Sequence, residues 1–301
     1  MWEQPNGTKD KTICLGVFVA ASSCLLAAGC GGNGDAASPL APSSTSPETA
    51  VASASPGIEP GARFVVDIVS ACGATLKTVI IAPNGVARAA VILLEGDDGT
   101  IDLGGTSDDP DIQSEGFLAR NADAFAAQGL LVALVGAPSD YPDGVELSYR
   151  ISAQQSDDVA AVVAWIDARA SLRVWVLGMS FGTFSATNSA IRLNGVLDGF
   201  AVCSASTAPT GGPLPNGILD MDLVQITMPA LVVGHQNDAC PGTPASDVAA
   251  VAAGLTSAAP VTQRVFTGGS PPMSQECGPK SPHGYFGIDD QVVTYMAGVL
   301  R

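Results

Sequence analysis

A serine between two glycines (Gly178-Met179-Ser180-Phe181-Gly182), a histidine in a late loop (His283) and an aspartate in an earlier one (Asp238) are the three groups that acyl transfer from a serine requires. A serine hydroxyl attacks a carbonyl only when a base takes its proton, and the base works only when a further group fixes its tautomer. Bases are scarce: the chain contains two histidines, His235 and His283. His283 lies in the segment KSPHGYFG, and His235 is followed by Gln236-Asn237-Asp238. Ser180 is thus a candidate nucleophile, His283 a candidate base and Asp238 a candidate orienting carboxylate, while His235 is read as bonding the loop that carries Asp238. Asp220, Asp222 and Glu276 are the alternative orienters.

G-x-S-x-G is a short pattern that a chain with 34 glycines produces readily by chance, so its flanks decide its meaning. Here an apolar run, Val174–Leu177, leads straight into it, and a helix of small residues is expected from Phe181. Arg63–Val69 and Thr75–Ala82 read as an antiparallel hairpin joined by a Cys-Gly-Ala turn. Ala89–Leu94 is apolar throughout, as in a strand buried on both faces. Phe117, Leu118, Asn121, Ala122 and Phe125 recur at helical spacing, and Gly129 stops them before a strand at Leu130–Val135. Ser152 with Gln155 forms a capping box ahead of a helical face made by Val159, Val162, Val163 and Ile166. Strands at Leu197–Cys203, Ala230–Val233 and Val261–Phe266 precede, in turn, a Gly/Pro loop, a helix at Pro244–Leu255 and a last helix at Ile288–Leu300. Such alternation implies an α/β domain: a mostly parallel, doubly wound sheet with helices on both faces. Ligands bind such sheets at the carboxyl ends of the strands, which is where Ser180, Asp238 and His283 fall.

From Arg63 to the C-terminus the chain resembles a serine hydrolase of the α/β-hydrolase superfamily, in particular exported bacterial members with H-x-x-D-x-C after the seventh strand. Gly178, Ser180 and Gly182, then His235, Asp238 and Cys240, then His283-Gly284 carry the resemblance. It implies the α/β-hydrolase fold, in which nucleophile, acid and base follow the chain order Ser180, Asp238, His283. It implies an oxyanion hole formed by the backbone N–H of Phe181 and one from the loop Leu94-Glu95-Gly96-Asp97-Asp98-Gly99, with Gly96 or Asp97 as second donor. That loop departs from the His-Gly-Gly-Gly form of many lipases and esterases. The superfamily often inserts a large cap where this chain has Ala205 to Thr227, a short Gly/Pro-rich segment, so a minimal cap and an open site are expected. The implied activity is hydrolysis of a small-molecule carboxylic ester through an acyl-enzyme, with no cofactor. A serine peptidase or amidase on the same fold is one alternative, and a non-catalytic envelope binding lipoprotein that kept the fold is another.

His235, Cys240, Cys277 and His283 would also supply two nitrogens and two sulfurs to a zinc ion. Their spacing is loose, and zinc would leave the strand–GxSxG–helix context unexplained, so no metal is expected. The acidic stretch EGDDGTIDLGGTSDDPD lacks the ligand spacing of a calcium loop and reads as a solvated charge run.

The 301 residues, 47 % of them apolar, suffice for one large core. A balance of 13 basic against 29 acidic side chains gives −16, which argues against nucleic acid or an anionic membrane surface as partner. Lys9 and Lys11 precede an apolar or small run, Ile13 to Ala28, that ends in Leu25-Leu26-Ala27-Ala28-Gly29-Cys30. The run is too short for a comfortable membrane span, and its end resembles a bacterial lipobox. We therefore expect residues 1–29 to be a signal peptide, 30–60 a lipidated Cys30 and a Gly/Ser/Pro tether, and 61–301 the catalytic domain. The expected product is an exported monomer held in the cell envelope only by its lipid. Gly31 after the cysteine fits outer-membrane sorting in a Gram-negative cell. Cys14 and Cys24 leave with the signal. Cys240 and Cys277 both lie in Gly/Pro-rich loops and are expected to pair, whereas Cys203 sits in an apolar run as a buried thiol, with pairing to Cys72 the alternative.

Overall fold

The computed structural model describes residues 57–208 and 212–301. The expected signal peptide, Cys30 and all but the last residues of the tether lie outside the described residues. Within them the chain forms ten strands: β1 (Arg63–Val69), β2 (Thr75–Ile81), β3 (Ala89–Leu94), β4 (Leu103–Thr106), β5 (Asp109–Ile112), β6 (Leu130–Pro138), β7 (Val174–Met179), β8 (Gly199–Cys203), β9 (Ala230–His235) and β10 (Val261–Phe266). Seven helices accompany them: α1 (Phe117–Arg120), α2 (Ala122–Ala127), α3 (Leu147–Arg150), α4 (Ala153–Asp167), α5 (Gly182–Arg192), α6 (Val248–Gly254) and α7 (Asp289–Val299). Eight strands make one sheet in the order β1-β2-β6-β3-β7-β8-β9-β10. The expected hairpin β1–β2 is antiparallel and joins β6 antiparallel, and every pairing from β6 to β10 is parallel.

Strand β3 shows how the sequence builds the layers. Successive side chains of a strand point to opposite faces. Ala90, Ile92 and Leu94 accordingly enter one core, and Ala89, Val91 and Leu93 the other. All six are buried, which is why the run is apolar without interruption. On the first face they join Val159, Val162, Val163 and Ile166 of α4, Phe184 of α5 and Val251 of α6. On the second they join Phe117, Phe125, Val292 and Met296 from α1, α2 and α7. Each large side chain enclosed in this way contributes about 1.5–3 kcal/mol of transfer free energy.

The register aligns the strand ends: Leu94 pairs with Gly178, Met179 with Cys203, and His235 with Phe266. The loops leaving β3, β7, β8, β9 and β10 therefore emerge along one edge of the sheet. Between β8 and β9 the described residues hold two 3-10 turns, Gly217–Asp220 and Leu223–Gln225, in keeping with a minimal cap.

Three local expectations are corrected. The helical spacing from Phe117 to Phe125 gives two short helices, because the Asn121 side chain donates to Phe117 O at 2.8 Å and to Asp289 Oδ1 at 2.9 Å where the helix breaks. The capping box is half made. Ser152 Oγ accepts the Gln155 N–H at 3.2 Å, but the Gln155 side chain turns away to Ser189 Oγ (3.1 Å) and to Asn188 Nδ2 (2.8 Å) on α5. The helix expected at Pro244–Leu255 starts as a 3-10 turn, Ala245–Asp247, and becomes α-helical only at Val248. The acidic stretch leads into a short antiparallel pair, β4 with β5, that the sequence did not announce. No group of three or more His, Cys, Asp or Glu suited to a metal occurs among the described residues.

Candidate functional site

Only two residues separate β7 from α5, and so abrupt a strand-to-helix turn requires an unusual backbone. Ser180 supplies it with φ 50°, a left-handed conformation that a non-glycine residue seldom adopts. The turn is held on both sides. Ser180 N–H donates to Cys203 O at 3.1 Å, and Ser180 O accepts from Thr183 N–H at 3.0 Å and from Thr183 Oγ1 at 2.5 Å. Gly182 is required by close approach, since a Cβ there would lie 2.2 Å from Leu94 O and 2.4 Å from Glu95 O. Ser180 Oγ has no hydrogen-bond partner among the described residues.

The second half of the site is buried. His283 Nδ1 lies 3.0 Å from Asp238 Oδ2, with side-chain exposures of 3 % and 1 %. Thr243 Oγ1 donates to the same Oδ2 at 2.9 Å and stands 3.0 Å from His283 Nδ1, while Cys240 N–H donates to Asp238 Oδ1 at 2.9 Å. With the Thr243 hydroxyl hydrogen committed to the carboxylate, both oxygens facing Nδ1 are acceptors. The network therefore assigns the proton to Nδ1 and leaves Nε2 as the basic nitrogen. Asp238 is the carboxylate that meets His283, whereas Asp220 and Asp222 bond Asn216 and Gln225.

His235 holds the turn that carries Asp238. Its Nδ1 accepts the Asn237 N–H at 3.1 Å, so Nε2 carries the hydrogen and donates it to Gly268 O at 3.1 Å. Burial pushes its pKa below the usual histidine value, against the smaller opposing effects of Gly268 O and Asp238. Cys240 and Cys277 form the expected disulfide, which ties the loop of Asp238 to the loop of His283 and removes both sulfurs from any zinc set. Cys203 is a free, buried thiol, so it does not pair with Cys72, and burial raises its pKa well above the ordinary value.

The loop of His283 is pinned to the sheet by a group that sequence reasoning missed. Ser204, directly after the residue that accepts the Ser180 N–H, donates through Oγ to His283 O at 2.9 Å. Tyr285 OH accepts the Ser204 N–H at 3.1 Å and donates to Val233 O at 3.3 Å. The end of β8 thus links the serine turn to the histidine loop.

The loop after β3 completes the edge. The backbone N–H groups of Phe181 and Asp97 make no hydrogen bond among the described residues, whereas the Gly96 N–H donates to Glu95 Oε2 at 3.2 Å. Of the two expected candidates, the Gly96 N–H is engaged and the Asp97 N–H is not. Glu95 also accepts the Ala119 N–H at 2.7 Å, satisfying an orphan donor of α1. Its burial raises its pKa, while those hydrogen bonds and the charge of Arg120 pull it down. Beneath the loop lies Arg150, a second residue that sequence reasoning missed and a buried one, donating to the carbonyls of Glu95 (3.2 Å), Gly96 (3.3 Å) and Asp97 (2.9 Å). No sequence signal marked Ser204, Thr243 or Arg150: Ser204 and Arg150 act on residues distant in the chain, and Thr243 joins Asp238, five residues before it, to His283, 40 residues after it.

No protein-family model matches the sequence, and neither does any curated protein. Solved structures do resemble it. An α/β serine hydrolase without lid from Xanthomonas campestris aligns over 82 % of this chain and 94 % of its own, at 14 % identity and a TM-score of 0.51. A thermostable carboxyl esterase from Bacillus coagulans aligns over 80 % of this chain and 99 % of its own, at 13 % identity and a TM-score of 0.52. Dipeptidyl peptidase 4 from Porphyromonas gingivalis aligns over 80 % of this chain but 35 % of its own, at 15 % identity and a TM-score of 0.54. Identities this low speak for a shared fold.

Proposed function

We propose that this chain, which has the α/β-hydrolase fold, is a serine hydrolase of carboxylic esters working through an acyl-enzyme. The observation that carries the reading is the left-handed Ser180 on a two-residue strand-to-helix turn, at the same sheet edge as the buried Asp238–His283 pair. Ser180 Oγ attacks the ester carbonyl carbon while its proton passes to His283 Nε2. The resulting oxyanion is held by the N–H groups of Phe181 and Asp97. Collapse of the tetrahedral adduct breaks the carbon–oxygen bond to the alcohol, which leaves with the proton from His283. Water then attacks the acyl-serine by the same route, its proton going to His283, and Ser180 is released with the acid. Asp238 keeps the proton of the resting imidazole on Nδ1 and stabilises the imidazolium formed in both halves.

Small esters are favoured because nothing larger than 3-10 turns stands between β8 and β9 among the described residues. The esterase and lidless-hydrolase neighbours support that preference, and the peptidase neighbour supports amide cleavage as the second reading. A panel of p-nitrophenyl esters of increasing acyl length beside dipeptide amides tests it. The expected result is fastest turnover of short esters, and peptide turnover exceeding that of every ester would reverse the assignment.

Export and lipidation at Cys30 belong to the same reading, supported by the basic, apolar and Leu25–Cys30 pattern and by a disulfide that suits an oxidising compartment. Labelled palmitate should enter the protein at Cys30, and protein made in cells without incorporation would count against an anchor there.

A further inference from the structure

The ester-hydrolase reading leaves open what aims the Asp97 N–H. Asp97 itself is strained, with φ 46°, and its side chain is exposed, so its own packing does not impose that backbone. The imposing group lies underneath. Arg150 is 2 % exposed, and its guanidinium donates to three successive carbonyls, those of Glu95, Gly96 and Asp97. In a trans peptide the C=O and N–H lie in one plane and point in opposite directions across the C–N bond. Drawing the Gly96 carbonyl inward to Arg150 therefore turns the Asp97 N–H outward. Drawing the Glu95 carbonyl inward turns out the Gly96 N–H, which Glu95 Oε2 then takes up.

We infer that Arg150 is a positioning residue for the oxyanion hole: it grips the carbonyl side of the loop after β3 so that the Asp97 N–H faces the oxyanion formed at Ser180. This inference rests on the hydrolase reading. Arg150 is itself held in place, through Ser185 Oγ at 3.3 Å and by stacking 5.4 Å from the centre of the Phe181 ring, the side chain of the other proposed donor. One guanidinium thus touches both halves of the hole. Burial lowers its pKa to about 10, so it stays charged at neutral pH and adds a positive charge beneath the developing anion. A lysine would keep the charge but not the planar fork that reaches several acceptors at once.

The test uses the full chain, with its disulfide, and a short p-nitrophenyl ester. Wild-type protein should turn over the ester and Ser180→Ala should not; if the wild type is inactive, the hydrolase reading and this inference fall together. With turnover established, Arg150→Ala should lose about 100-fold in kcat, the scale of one oxyanion donor, with KM within about threefold. Inhibition by a trifluoromethyl ketone, which forms its oxyanion on Ser180, should weaken in step with kcat/KM, as a purely structural lesion would not produce. Arg150→Lys should recover part of the loss, and it carries the same comparison if Arg150→Ala does not fold. Wild-type kcat in the folded variant, or a loss of activity that only follows the folded fraction read by near-UV circular dichroism, overturns the assignment.

Discussion

The backbone of Gly96 passes against Ser180 so closely that a Cβ on Gly96 would stand 2.9 Å from the Ser180 Cβ and 3.1 Å from Met179 O. Gly96→Ala should therefore displace the serine turn without touching the Asp238–His283 pair. Displacements near an ångström cost about 100-fold in such reactions. We expect kcat for a short ester to fall by about 10- to 100-fold, with the thermal midpoint lowered by only a few degrees.

Thr243 shares Asp238 Oδ2 with His283 Nδ1, yet it donates only one neutral-donor hydrogen bond to a carboxylate that keeps others. Thr243→Val should lower kcat by about tenfold, whereas Asp238→Asn, which gives the imidazole the wrong tautomer, should lower it by about 10,000-fold. Steady-state kinetics on the two variants check the ranking, and equal losses would contradict it.

The Cys240–Cys277 bridge spans a sequence separation of 37, and Cys240 also donates its N–H to Asp238. Replacing both cysteines by alanine should cost about 2–4 kcal/mol of unfolding free energy. Because the bridge clamps the acid loop to the base loop, activity at a temperature where the variant is fully folded should fall as well. Circular dichroism and ester turnover, measured together, separate the two effects.

His235 makes both of its ring hydrogen bonds as the neutral Nε2–H tautomer, and its pKa in the fold is lower than in the open chain. The unfolded histidine takes up a proton as pH falls through about 6.5, while the native one resists. This contribution to stability is present in full above that value and is lost on acidification below it. Urea unfolding at pH 7.5 and 5.5 should show the loss, and His235→Gln should reduce the difference between the two pH values.

Much of this edge was legible in the residues because it depends on local pattern. Unbroken apolar runs such as Ala89–Leu94 announce strands buried on both faces, and Gly178-x-Ser180-x-Gly182 between a strand and a helix marks the turn. What stayed hidden depends on partners far along the chain. Asn121 looked like part of one helix until Asp289, 168 residues on, took its side chain. Gln155 looked like a cap until α5 offered Ser189 and Asn188. Arg150, in a tyrosine- and isoleucine-flanked stretch, carries no sign that it will be buried under residues 95–97. The β4–β5 hairpin was missed because Gly, Asp and Pro dominate it and β-branched residues are few.

The central claim is that Ser180 is an activated nucleophile. Incubating the wild-type protein with a fluorophosphonate probe and mapping the adduct by peptide mass spectrometry tests it most directly, since the probe marks serines whose proton a base removes. The account predicts a single adduct on Ser180, lost in Ser180→Ala and strongly slowed in His283→Ala. An unlabelled wild-type protein, or an adduct on another serine that persists in Ser180→Ala, would contradict it.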